Sequence, residues 1–166
     1  MGNIMSNQTK YLKDYSEPSH WIRTIHLTIE LNIPKTIVTS VLSIEPNIKQ
    51  SSSFLELQGE SLELLSVALD GKLLEPSEYQ QDEKSLTLRS VPQKPFELII
   101  QTFIEPDKNT ALSGLYYTGG NYCTQCEPEG FRRITYYLDR PDVLALFTTT
   151  IIANKEKFRI YSQMVT

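Results

Sequence analysis

An all-β fold is the class this sequence predicts: an antiparallel sandwich or saddle-like domain with one short helical segment. Three observations predict it. Apolar and polar residues alternate with period two in several segments; Pro, Gly, Asn and Asp interrupt them at short intervals; and no stretch sustains the 3.6-residue apolar period of an amphipathic helix.

The clearest alternation runs from Thr24 to Ile33, where Ile25, Leu27, Ile29, Leu31 and Ile33 interleave with Thr24, His26, Thr28, Glu30 and Asn32. Such a segment buries one face and wets the other, as in a strand of a sheet with one solvated side. Pro34-Lys35 marks a turn, and the Thr, Val and Ile content of residues 36–44 predicts its hairpin partner. A short strand over residues 54–57 follows. Leu65, Val67 and Leu69 then alternate up to Asp70-Gly71, a pair suited to a two-residue hairpin because both positions tolerate positive φ. Leu73-Leu74 starts the return arm, and residues 86–88 and 96–104 predict two further strands flanking Pro92 and Pro95.

Past Pro106 the pattern changes. Residues 109–120 read as loop, and Cys123 to Glu129 as a compact polar segment. Asp139-Arg140-Pro141-Asp142 has the features of a helix start, with Pro in the first turn and an acidic residue near the positive end of the helix dipole, so one or two helical turns are expected over residues 143–147. The β-branched run Thr148 to Ala153 predicts another strand, and Lys155-Glu156-Lys157 a charged turn. Residues 1–14 are expected to form a flexible tail and residues 15–166 the domain.

The chain of 166 residues suits one domain, and its 40% hydrophobic and 22% charged content is that of an ordinary globular protein. A net charge of −4 argues against a nucleic-acid partner. No apolar run reaches the roughly 20 residues of a membrane span, and the polar opening lacks the apolar centre of a signal peptide, so no membrane partner is expected. Met1-Gly2 with Ser6, and Asn7-Gln8-Thr9, match loose lipidation and glycosylation templates that recur by chance. Two cysteines make no disulfide scaffold, and a cytoplasmic setting is expected.

Few residues suggest chemistry on their own. Cys123-Thr124-Gln125-Cys126 is a C-x-x-C, but a redox pair belongs at a helix start and zinc needs further ligands, whereas His20 and His26 are remote in sequence. Packed or loop cysteines are the plainer reading. Glu127 and Glu129 share a loop without any requirement to converge, and Arg132, Arg133, Asp139 and Arg140 suit ion pairs that pin the segment. No Gly-rich phosphate loop, G-x-S-x-G or H-E-x-x-H occurs. No catalytic residue and no metal ligand is assigned.

Ala111-Leu112-Ser113-Gly114-Leu115-Tyr116, and above all the run from Cys123-Thr124-Gln125-Cys126-Glu127-Pro128-Glu129-Gly130-Phe131-Arg132-Arg133 to Tyr136-Tyr137-Leu138-Asp139-Arg140-Pro141-Asp142-Val143, resemble the end of the first domain of bacterial aminopeptidase N, a family of zinc metallopeptidases. Upstream, the strand over residues 25–33, Lys35 to Thr39 and Leu57-Gln58-Gly59-Glu60 are similar too. The resemblance implies a saddle-like β-domain that packs on a catalytic domain in cis and lends it one loop. By that resemblance Glu127 binds the free α-amine of a peptide and Gln125 lines the pocket for its first side chain. It further implies that zinc, its H-E-x-x-H helix, the G-x-M-E-N motif and the transition-state tyrosine belong to residues beyond this chain. The chain would then lack its last strands and be inactive alone, with exposed strand edges that favour self-association. The competing expectation is a stand-alone β-sandwich that docks another protein and has no enzymatic activity.

Overall fold

The computed structural model describes residues 12–50, 52–154 and 156. Most of the expected flexible tail, both terminal modification templates and the last ten residues lie outside that set; within it, Leu12–Asp14 form a single 3-10 turn.

Eleven strands make up the described fold: β1 (His20–Glu30), β2 (Thr36–Pro46), β3 (Leu55–Gln58), β4 (Glu63–Leu69), β5 (Lys72–Leu73), β6 (Tyr79–Gln81), β7 (Ser85–Leu88), β8 (Phe96–Ile104), β9 (Gly114–Thr118), β10 (Asn121–Gln125) and β11 (Leu146–Ile152). Six of them form a sheet in the order β11-β1-β2-β8-β4-β5, three form a smaller sheet in the order β3-β7-β6, and β9 and β10 form a separate hairpin. All pairings are antiparallel except β1 with β11, which is parallel.

The predicted alternation positions the core. Ile25, Leu27 and Ile29 of β1 are buried while His26 points to solvent, and Val38, Leu42 and Ile44 of β2 are fully buried. Leu98 and Ile100 of β8 continue this layer, and Leu55, Leu57, Leu86 and Leu88 of the small sheet belong to the same apolar cluster. The alternation became visible in sequence only from Thr24 because a bulge between Ile22 and Thr24 shifts the register, so that Ile22 and Ile25 are both buried although three residues apart. At the β4–β5 turn, Asp70 (φ 47°) and Gly71 (φ 78°) both adopt the left-handed conformation expected of that pair.

Two expectations fail. Residues 109–120 are not all loop: Gly114–Thr118 pairs with Asn121–Gln125 across Gly119-Gly120, whose φ values of 55° and 85° are those of a tight hairpin. The Gly-Gly pair was the available signal. The helix expected after Asp139 does not form either; residues 141–142 make a turn, and Leu146 and Phe147 already belong to β11. The side chains that would have capped a helix are engaged elsewhere: Asp139 with Arg132 at 2.8 Å, and Asp142 with Arg140 at 2.7 Å and Tyr15 at 3.0 Å. A 3-10 turn at Phe131–Arg133 lies nearby instead.

His20 is the one buried titratable side chain of the main sheet without an ionic partner among the described residues. It is 0% exposed, with Nδ1 3.0 Å from the Ser19 hydroxyl, its ring edge-on to Phe96, and Nε2 without a hydrogen-bond partner. Burial pushes its pKa below the ordinary value of 6.5, so the folded protein holds it neutral. The unfolded chain then binds a proton first as the pH drops. The stabilisation is complete above 6.5 and is lost as the pH falls from there through the folded-state pKa. Melts between about pH 5 and pH 8 are expected to show a shallower acid loss in His20→Leu than in the wild type; parallel curves would contradict this.

Candidate functional site

The candidate recognition segment lies where β10 ends and the chain turns into the 3-10 turn at Phe131–Arg133. Gln125 is the last residue of β10, paired with Gly114 of β9. The chain passes a cis Glu127–Pro128 peptide and reverses through Glu129 at φ 57°. The Gly130 amide closes the loop on the Cys126 carbonyl at 2.8 Å. Gly130 is required by space: a Cβ there would stand 2.7 Å from the Gln125 carbonyl oxygen, 2.8 Å from the Cys126 Cα and 2.8 Å from the Ser113 hydroxyl.

Both candidate residues are exposed. The Gln125 Nε2 donates to the Glu127 carbonyl at 3.1 Å, so the side chain of one braces the backbone of the other. The Glu127 carboxylate forms no ion pair among the described residues. Its neighbour differs: Glu129 lies 3.5 Å from Arg132, so the two acidic residues of this loop have separate environments and do not form a carboxylate pair.

Beneath the loop the charges are matched. Arg132 donates from Nε to the Asp139 carboxylate at 2.8 Å and from its terminal nitrogen to the Asp139 carbonyl at 3.1 Å, while the Arg132 amide donates to the same carboxylate at 3.2 Å. The two side chains are 16% and 14% exposed. Arg133 pairs with Glu60 at 2.8 Å, and the Glu60 amide donates to the Arg132 carbonyl at 2.9 Å. Gln58 of β3 exchanges backbone hydrogen bonds with Tyr137 and accepts the Asp139 amide on its side-chain oxygen. Phe131 packs edge-on against Tyr137 at 4.9 Å and Phe147 at 5.4 Å, which ties the loop to both sheets. The result is an exposed acidic loop on a rigid base.

A family model described as the Peptidase M1 N-terminal domain matches residues 13–166. The chain belongs to that family. Its curated relatives include aminopeptidase N of Escherichia coli strain K12, 48% identical over 152 residues, and aminopeptidase N of Haemophilus influenzae, 43% identical over 156 residues. Those alignments take in 91% and 93% of this chain but only 17% and 18% of the relatives, so the chain spans under a fifth of their length. Among solved structures, Legionella pneumophila aminopeptidase A in complex with aspartic acid superposes with a TM-score of 0.83 at 36% identity, over 90% of this chain and 18% of that one. An M1 zinc metallopeptidase of Deinococcus radiodurans shares the fold alone, with a TM-score of 0.67 at 16% identity over 81% of this chain and 32% of that one.

The M1 relatives include zinc peptidases, and the residues described here do not supply a zinc donor set: no group of three His, Cys, Asp or Glu side chains converges among them. Cys123 and Cys126 are free and half-buried. Burial, followed by the Asp139 and Glu127 carboxylates, raises the Cys126 pKa, which keeps it a thiol and opposes the thiolate character that redox or metal use demands. Burial and Asp139 likewise push Tyr137 up to about 12, so its hydroxyl stays neutral beneath the loop. Sequence reasoning placed the loop but missed the hairpin that carries it and the contact that requires Gly130. The Gly-Gly turn was legible; the Gly130 contact joins segments that meet only on folding.

Proposed function

We propose that this domain presents the amine-recognition loop of an M1 zinc aminopeptidase, with Glu127 receiving the free α-ammonium of a peptide and Gln125 bordering the site of its first side chain. One observation carries this reading: Glu127 is exposed and unpaired among the described residues, on a loop whose other charges are satisfied. A carboxylate so placed makes a charge-assisted hydrogen bond to an ammonium, stronger than a neutral one. A carboxylate at a fixed distance from the scissile bond also selects the chain terminus, which is the task of an exopeptidase. That the Legionella relative was solved with aspartic acid, which bears a free α-amine, supports the reading. Zinc chemistry and the bond-breaking step belong to a catalytic domain in cis, and this chain alone binds without hydrolysing. The two free thiols support a cytoplasmic setting.

The test joins this chain to the remaining portion of the Escherichia coli relative. Glu127→Gln removes the charge and keeps the shape. Losing a charged hydrogen bond of about 1.5–3 kcal/mol is expected to lower kcat/KM by roughly ten- to a hundredfold, mainly through KM. N-acetylated substrates, which carry no ammonium, should show no such difference. Equal kcat/KM in the two proteins would refute the assignment. The unjoined chain, given zinc and an aminoacyl chromogenic substrate, is expected to release no product.

A further inference from the structure

Both limbs of the acidic loop rest on the start of β9. On the outgoing limb Gln125 is the register partner of Gly114, and Thr124 that of Leu115. On the return limb Gly130 and Arg133 press against the same segment. A Cβ on Gly114, which sits at φ 76°, would stand 2.6 Å from the Arg133 Cβ and 3.2 Å from the Gly130 carbonyl oxygen. A Cβ on Gly130 would in turn meet the Ser113 hydroxyl. Packing this close transmits displacement, so a shift of residues 113–115 moves the loop with it.

Those three residues are held from the other side by Asn109, which follows the 3-10 turn at Pro106–Lys108. Its Nδ2 donates to the Ser113 carbonyl at 2.7 Å and to the Leu115 carbonyl at 2.9 Å. The chain between them turns through Leu112 at φ 52°. Two carbonyl acceptors fix which end of the amide faces β9, since only the nitrogen can donate. Backbone groups alternate sides along a strand. The Leu115 carbonyl turned to Asn109 therefore leaves the groups of Gly114 directed at Gln125. The Asn109 Oδ1 is buried and has no hydrogen-bond partner among the described residues. A buried acceptor without a donor is destabilising, yet the side chain that carries it supplies both hydrogens to β9.

We infer that Asn109 is a positioning residue for substrate binding, which sets the place of Gln125 and Glu127 by clamping the strand start on which their loop lies. The inference rests on the amine-recognition reading of Glu127. The hydrogen bonds of the Asn109 side chain reach neither residue; they act through Ser113, Gly114 and Leu115. From there the Gln125 side chain passes the position on, because its Nε2 holds the Glu127 carbonyl. Loss of the clamp leaves the Glu127 carboxylate intact but displaced. The effect then falls on substrate affinity and spares the bond-breaking step, whose groups lie outside this domain.

The chain joined to the remaining portion of the Escherichia coli relative again serves as the enzyme. Asn109→Ala removes the clamp, and Asn109→Asp keeps the shape but sets a carboxylate against the two carbonyls. Each is expected to raise KM for a peptide with a free amine by about tenfold, with kcat little changed. The decisive measurement repeats the substitution in a Glu127→Gln background. There it is expected to cost less than about threefold, since the charge it positions is gone. A role confined to stability would give the same factor in both backgrounds. Unchanged KM, a fall in kcat alone, or equal factors in the two backgrounds would each overturn the inference. Glu127→Gln without effect would overturn the recognition reading itself, whereas an effect of Glu127→Gln beside silent Asn109 variants overturns the clamp alone. Should either Asn109 variant fail to fold, the other decides.

Discussion

Arg132→Ala is expected to destabilise the domain by about 3 kcal/mol, at the lower end of the roughly 3–5 kcal/mol that follows from stripping a buried carboxylate of its cation. The guanidinium holds both the carboxylate and the carbonyl of Asp139, and the Asp139 side chain is only 14% exposed. After the substitution Asp139 keeps one hydrogen bond, from the Arg132 amide, against the full desolvation of its charge. The partial exposure of both groups is the reason to take the lower end. For a domain of this size such a loss lowers Tm by roughly 6–12 °C. Arg132→Lys should recover little, since an ammonium cannot span the carboxylate and the carbonyl as the planar fork does. Combining Arg132→Ala with Asp139→Ala should cost clearly less than the two single losses summed, because the second change removes the stranded charge. Additive losses in chemical denaturation would mean that the two residues contribute independently and that the loop has no ionic base.

Leu57→Ala is expected to cost a similar amount, about 3 kcal/mol within the 2–5 kcal/mol range for truncating a buried leucine. Leu57 is 0% exposed, faces Leu86 across the small sheet, and belongs to the cluster that joins this sheet to β8 and β2. β3 is paired with β7 along its length and bridged to Tyr137 at Gln58, so it has little room to collapse into the space left by the lost methyl groups, and the cavity remains. The small sheet also carries Gln58, whose backbone and side chain hold Tyr137 and Asp139, so the loss should loosen the recognition loop as well. Leu65→Ala, at a position 39% exposed on β4, should cost well under half as much. Equal losses at the two sites would show that the small sheet contributes no core of its own.

Alternation within single strands was legible because it depends only on local geometry. Residues 36–44 and 96–104 bury one side as expected within β2 and β8, whereas of residues 24–33 only 24–30 lie in β1 and Ile33 is exposed beyond it. The Asp70-Gly71 turn was equally legible, since the demand for positive φ is met within two residues. β9 reads as loop and the end of β10 as a compact polar segment because half of the hairpin stays exposed and its apolar residues fall in adjacent pairs, leaving no alternation to detect. The false helix after Asp139 shows the opposite case. Its Pro and acidic residues were good local cap signals, overruled by Arg132 and Arg140, which engage both carboxylates.

The resemblance over residues 111–143 named Gln125 and Glu127, and the family match covers the same residues. What the sequence alone determined here is the long strands of the main sheet, their buried faces, and the segment that bears the acidic loop. Each of these follows from the order of residues within a few positions. Only the tertiary structure decided that β11 pairs parallel with β1, that Gly130 must lack a side chain, and that Arg132 is committed to Asp139 while Glu127 forms no ion pair among the described residues. Those facts depend on contacts between segments distant in the chain, or on which neighbour wins a shared charge, and local periodicity carries no record of either.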